Sequence, residues 1–298
     1  MAFVKSKLNK YNNTTYWKDI HKKNLGPLQT VGHPMLCKNL NRLKYESESS
    51  SILSSLQDIG YKFTLMGKKK LSILDVGAGG GFWLKIVNEA FEKQGFRIEL
   101  TALDLSREAL ETLQRHNSHI NIIQEDLKTI NPDIFSNSFD LVISCYCLHH
   151  LVNLEDFLNA LRFAGRSVNR GGFLIVMDPV LNLPFSKFDI IDFPTYAGNG
   201  IPRHLYLLED ILGKEGFFRQ VIQPAVSFLL NGNIEGYGWF SYSMASIIWK
   251  VLCMFVYKSD PFVKLSTSIL LVLDKALKSS NLSFSSSVCV YRKSNSEI

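Results

Sequence analysis

The residues with the clearest capacity for chemistry form one run, Ile73-Leu74-Asp75-Val76-Gly77-Ala78-Gly79-Gly80-Gly81-Phe82. A strand-like apolar stretch carries an acidic residue near its end. Glycines follow at 77, 79 and 81, and then a helical pattern opens. Glycine lets the backbone take positive φ and come close to a ligand, and the N–H groups of a helix N-terminus point at whatever sits there. The run therefore reads as a nucleotide-binding turn. A dinucleotide fingerprint, GxGxxG, needs glycine or alanine where Phe82 stands, which disfavours a pyrophosphate-bridged cofactor. Asp104, in Ala102-Leu103-Asp104-Leu105-Ser106, ends the next apolar run. A carboxylate there can accept both hydroxyls of a ribose; its plainer role is a helix N-cap, which Ser106 fills as easily.

Such groups must be held by a scaffold, and the sequence outlines one. Segments 71–76, 98–104, 120–124, 141–145 and 173–177 read as buried strands, with helical stretches at 83–93, 107–116 and 154–168 between them. The alternation predicts an α/β fold, a doubly wound parallel sheet covered on both faces. Asn169-Arg170-Gly171-Gly172 reads as a turn before the fifth strand. Beyond Pro179 the regularity fades: 205–215 reads as a helix, and 217–222 and 287–292 as strands. Between those strands, 243–256 is apolar almost all round. Segment 264–278 is amphipathic, with Leu265, Ile269, Val272, Leu273, Ala276 and Leu277 on one face. Four units are expected: a basic N-terminal helical lid (1–69), a cofactor-binding core (70–224), a hydrophobic helical cap (225–285) and a final strand with its tail (286–298). A transmembrane reading of 236–257 would put Lys250 and several Ser and Gly in the span, so a buried or membrane-surface helix fits better.

The glycine run resembles motif I of the class I S-adenosylmethionine (AdoMet) dependent methyltransferases, an acidic residue followed by GxGxG. Gln124-Glu125-Asp126-Leu127 lies where members of that family hold adenine. Phe139-Asp140-Leu141-Val142-Ile143-Ser144-Cys145 resembles their motif IV, and Leu148-His149-His150-Leu151 is a sequel met in small-molecule members. Gly171-Gly172-Phe173-Leu174-Ile175-Val176 is similar to the fifth-strand motif. The resemblance implies a seven-stranded, mostly parallel Rossmann-like sheet finished by an antiparallel strand near 288–291, with AdoMet as cofactor, S-adenosylhomocysteine as product and no metal. It also implies a cofactor site of Asp75, Gly77, Ala78, Gly79 and Gly81 at the loop, and Asp104 and Leu105 at the ribose. Asp126 and Leu127 would hold the adenine, with Cys145 at the fourth strand's end and Tyr16 in a lid. The long insertion before the last strand departs from the short hairpin of many relatives.

Methyl transfer is an in-line displacement from a sulfonium, so alignment and water exclusion dominate, contributing about 7–11 kcal/mol. An amine acceptor needs only its lone pair, whereas a hydroxyl needs a base worth about 10²–10⁴-fold. His149 and His150, after the fourth strand, are the leading bases, with His204 next and His33 weaker. Each also has a plain alternative, an imidazole that satisfies backbone groups at a turn. Asp178 is either an orienting carboxylate or a turn residue. Aromatic residues of the later segments, such as Phe185, Tyr196, Tyr237, Trp239 and Trp249, suit a hydrophobic or aromatic small molecule, although core packing alone accounts for such residues too.

The remaining composition bounds the reading. The chain has 298 residues, 46% hydrophobic and 20% charged, with 19 Gly and 9 Pro; this excludes collagen, disorder and a disulfide scaffold. Residues 1–70 hold 13 Lys/Arg against 4 Asp/Glu, and the rest hold 20 against 23. No aromatic-interleaved RNA motif accompanies the basic leader, so nucleic acid is not the expected partner. The five cysteines form no CxxC pair, and the first residues lack an apolar signal core, so free thiols and a cytoplasmic location are expected. The expectation is an AdoMet-dependent O- or N-methyltransferase of a hydrophobic or aromatic small molecule, such as a secondary metabolite. An RNA or protein methyltransferase stays open, as does a non-catalytic AdoMet-fold protein whose cap contacts a membrane or a partner.

Overall fold

The computed structural model describes residues 11–22, 36–181, 199–232, 239–279 and 284–296. Two helices, α1 (Asn13–Lys22) and α2 (Lys38–Leu65), precede the alternating part. Strands β1 (Lys70–Val76), β2 (Arg97–Asp104), β3 (Asn121–Gln124), β4 (Phe139–Cys145) and β5 (Val168–Asp178) then alternate with α3 (Phe82–Glu92), α4 (Arg107–His116) and α5 (Leu154–Ser167). Two-residue strands β6 (Val180–Leu181) and β7 (Arg203–His204) pair outside the main sheet. The chain continues through α6 (Leu205–Lys214), β8 (Phe217–Ser227), the short α7 (Phe228–Asn231), α8 (Trp239–Phe255), α9 (Asp260–Ser279) and β9 (Phe284–Lys293).

The main sheet has seven strands in the order β3-β2-β1-β4-β5-β9-β8. Strands β1 to β5 pair in parallel, and β9 lies antiparallel between β5 and β8. The order reverses between β1 and β4, so the loops after these strands diverge to opposite faces and leave a crevice at their C-terminal ends. The interior strands β1, β4 and β5 are buried runs of Leu, Ile and Val, as two-sided coverage requires. Asn169–Gly172 does not end an element. It bulges within β5, whose register against β4 jumps between Phe139 and Leu141, and Gly171 takes φ 76° there. Strand β8 runs five residues past the expected end and carries Pro224. It tolerates the missing N–H because it is an edge strand, with register shifts around that residue.

Helix α2 belongs to the body of the molecule. Leu40, Leu43, Ile52, Leu56, Ile59 and Phe63 recur at helical spacing and are buried. Its serine-rich centre lies against β8: the Ser51 hydroxyl donates to the Ala225 carbonyl (3.1 Å), and the Gln223 amide donates to the Ser51 carbonyl (2.7 Å). Helix α9 packs on the same side, pinned by Asp274, which accepts from the Ser227 N–H (2.8 Å) and from the Ser47 hydroxyl. The apolar face that the sequence marks on α9 is largely its outward one. Val263, Leu270 and Asp274 are buried, while Leu265, Ile269, Val272 and Leu273 are exposed. Among the described residues no helix is long and apolar enough to cross a membrane.

Candidate active site

The turn after β1 is built by backbone geometry. The N–H groups of Gly77 (2.8 Å) and Ala78 (3.0 Å) both donate to the Leu103 carbonyl, tying the loop to the end of β2. Gly77 has φ 77°, and a Cβ there would lie 2.2 Å from Cys147 Sγ, so the loop after β4 can approach only a glycine. Gly81, at φ 79°, is the left-handed residue that starts α3. The N–H of Gly79 donates to Asp104 Oδ2 (2.8 Å) and that of Ser106 to Oδ1 (2.8 Å), so backbone fixes the carboxylate. Ser106, not Asp104, caps α4, accepting from the Ala109 N–H (3.3 Å).

Beneath the loop lies Asp75, 2% exposed, with Oδ2 lacking a hydrogen-bond partner among the described residues. Burial, reinforced by the neighbouring Asp104, pushes its carboxyl up to about 8. A buried acid without a partner, next to a second one, suits a ligand that brings positive charge. At the end of β3, Asp126 accepts from the Lys128 N–H (3.0 Å) and lies 3.5 Å from the Lys128 ammonium. These strand ends wall an open cleft of about 620 Å³, measured out to solvent, with Asn13 and Trp17 of α1 across it.

The opposite wall comes from the segment after β4. Tyr146 takes a left-handed φ of 55°, held by its N–H donating to the Met177 carbonyl (2.8 Å), and the residue lines the cleft. The Tyr146 hydroxyl donates to Glu48 Oε1, which also pairs with Lys44 at 2.7 Å. Lys44 is 3% exposed and Glu48 is fully buried, and the Lys44 ammonium lies 4.3 Å from the Tyr146 ring centroid. Burial raises the Glu48 carboxyl despite that pairing. His150 lines the cleft edge-on to Trp17, their ring centroids 4.8 Å apart. Its Nδ1 lies 2.5 Å from the Asn199 carbonyl, which can only accept, so Nδ1 carries the proton and Nε2 the lone pair. His149 sits behind the wall, with Nδ1 2.6 Å from Asp178 Oδ1 and Asp178 Oδ2 accepting from the Leu148 N–H. Burial brings both imidazoles down to about 3.

Comparison with known proteins bears on this arrangement. Residues 73–172 match the family model described as a methyltransferase domain. The matched stretch, a third of the chain, is similar to methyltransferase domains. Domains of this kind depend on AdoMet. A ubiquinone biosynthesis O-methyltransferase of Rickettsia prowazekii (strain Madrid E) is 28% identical over 151 residues, 47% of this chain and 53% of that protein. An uncharacterized methyltransferase of Alkaliphilus oremlandii (strain OhILAs) is 24% identical over 210 residues, covering 70% and 83%. An S-adenosylmethionine dependent methyltransferase structure from Mesorhizobium loti superposes with a TM-score of 0.46 at 16% identity, covering 75% of this chain and 91% of that one. The chain spans about half the length of the Rickettsia prowazekii enzyme.

Within the matched stretch, the structure brings Gly77, Gly79, Asp104, Leu105, Asp126, Leu127, Cys145 and His150 to one cleft. Asp75, Ala78 and Gly81 shape the loop from behind and do not line it. Tyr16 is displaced by its neighbour: along α1, Trp17 faces the cleft, while the Tyr16 hydroxyl accepts from the Asn199 amide (3.1 Å). His149 braces the wall and is not on it. His204 is away from the cleft because strand alternation turns Arg203 inward, where its guanidinium donates to the Leu151 (2.9 Å) and Val152 (3.0 Å) carbonyls. His33, Phe185, Tyr196, Tyr237 and the Trp239 side chain lie outside the described residues. The sequence reading missed Tyr146, Lys44 and Glu48. An i,i+4 Lys–Glu pair at apolar helix positions was the available signal.

AdoMet fits the residues present. The backbone-held Asp104 offers acceptors for ribose hydroxyls. The glycine loop, at Gly77 and Gly79, admits close approach of the ligand to the backbone.

Proposed function

We propose that this chain transfers the AdoMet methyl group to an oxygen of a hydrophobic, aromatic small molecule. The observation that carries the reading is the facing of two walls across one cleft: Asp104 and the glycine loop on one side, Tyr146 and His150 on the other. AdoMet supplies an electrophilic methyl group on a positively charged sulfur. Trp17 and Tyr146 offer aromatic surface to a flat acceptor and exclude water from it.

An oxygen acceptor is favoured over nitrogen because the wall provides for a proton. His150, brought down to about 3, is a weak base and serves to orient an acceptor hydroxyl through Nε2. Glu48, raised by burial, is the stronger proton acceptor and reaches the cleft through Tyr146. As the acceptor oxygen gains the methyl group, its proton moves to the Tyr146 hydroxyl, and the Tyr146 proton moves to Glu48. The Rickettsia prowazekii relative, named as an O-methyltransferase, supports the same acceptor atom.

Titration calorimetry with AdoMet and its demethylated product, followed by radiolabelled methyl transfer into metabolite, RNA and lipid pools, tests the reading. Label in phenolic or hydroxylated small molecules is the expected result. Label confined to RNA or lipid, or binding without any transfer, overturns it.

A further inference from the structure

We propose that the exposed apolar faces of α8 and α9 dock on an anionic membrane surface. Ile247, Val251 and Phe255 recur every four residues on α8 and are exposed. On α9, Phe262, Leu265, Ile269 and Val272 recur at intervals of three and four residues and are exposed, Leu265 at 85% and Val272 at 67%. A helix on the surface of a globular protein ordinarily presents polar side chains there, and a continuous apolar patch marks an interaction surface. The inner faces of the two helices are already used. Trp249 and Leu252 of α8 and Val263 and Leu270 of α9 pack in one cluster with Leu40 and Leu43 of α2.

Charge identifies the occupant. Residues 239–279 hold five lysines and two aspartates, with no arginine or glutamate. Both aspartates turn toward the body: Asp260 accepts from the Asn39 N–H (3.2 Å), and Asp274 from Ser227 and Ser47. Lys258, Lys264 and Lys275 are exposed. At 100° per residue, Lys264 and Lys275 fall on the flank of α9 between its buried and exposed arcs. Apolar residues at the centre with lysines at the border match a lipid interface, where acyl chains take the former and anionic headgroups the latter. Two copies meeting through this face would oppose lysine to lysine, which disfavours self-association. Helix α9 also leans on the part of α2 that carries Lys44 and Glu48, the buried partners of Tyr146, so docking sets the acceptor wall one helix from the bilayer.

Co-sedimentation of the full chain with vesicles tests this, and it needs neither AdoMet nor an acceptor, so its outcome is independent of the proposed reaction. The chain pellets with vesicles of phosphatidylcholine containing phosphatidylglycerol and stays in solution with phosphatidylcholine alone. Leu265→Asp with Val272→Asp abolishes pelleting with the melting temperature unchanged, since both sites are exposed. Lys264→Gln with Lys275→Gln weakens it about thirtyfold, each lysine near an anionic surface being worth about fivefold. Absence of pelleting overturns the proposal, as does a dimer in sedimentation velocity that the aspartate pair dissociates. Pelleting that survives the aspartate pair also overturns it.

Discussion

Tyr146 is the residue on which the proposed reaction turns. Its left-handed backbone costs about 1–2 kcal/mol for a side chain with a Cβ, and the structure holds it there by one hydrogen bond to β5 and one to Glu48. Tyr146→Phe keeps the ring and removes the proton path, so turnover falls by about 10²–10⁴-fold while AdoMet affinity is retained. His150→Gln, which keeps a polar group at the wall, loses less; the reverse ranking in steady-state assays would return the base to the imidazole. Asp104→Ala weakens AdoMet binding by about 1.5–3 kcal/mol through lost charge-assisted hydrogen bonds, read by calorimetry. Asp75 has a distinct signature. Its carboxyl is raised from the usual 3.8 to about 8, so the unfolded chain gives up that proton first. The folded state then binds more protons through this window, and stability falls as pH rises from about 4 to about 8. Asp75→Asn removes that slope: its melting temperature matches the parent near pH 4 and exceeds it at pH 8, in thermal scans across pH.

At the scale of elements, α2 links the site to the cap. Lys44→Met would leave Glu48 buried without its cation and costs about 3–5 kcal/mol of stability, measurable by urea unfolding; the double change with Glu48→Leu recovers much of it. What sequence could reveal divides along this line. The glycine loop, Asp104 and the five parallel strands were legible because each depends on local pattern: a turn that only glycine permits, and apolar runs of strand length. The Lys44–Glu48–Tyr146 group was not, because it joins positions about a hundred residues apart, and serines at the centre of α2 hid the helix that carries it. The weakness of His149 and His150 as bases was equally hidden. It follows from burial of both rings, with the Lys44 charge acting on His149 and His149 acting on His150, not from residue type. That the apolar face of α9 points outward was not legible, because amphipathicity names an apolar face without saying which neighbour meets it.

At the scale of the whole molecule, a few polar anchors join the cap to the sheet. Asp274 takes the Ser227 N–H, the Ser47 hydroxyl and the Lys278 ammonium at 3.5 Å. Asp274→Ala strands those donors together and costs about 2–4 kcal/mol, with faster hydrogen exchange in α9 than in β1 and β4 as the readout. The sheet itself adds a condition of time. Strand β9 lies between β5 and β8, both of which leave the ribosome before it. Until β9 emerges, β5 and β8 each present a ladder of unpaired amides to the same gap. Premature closure of that gap would shut out the strand meant to fill it. Vectorial synthesis therefore makes this half of the protein the last to settle, and a chaperone that shields open strand edges has its natural target here.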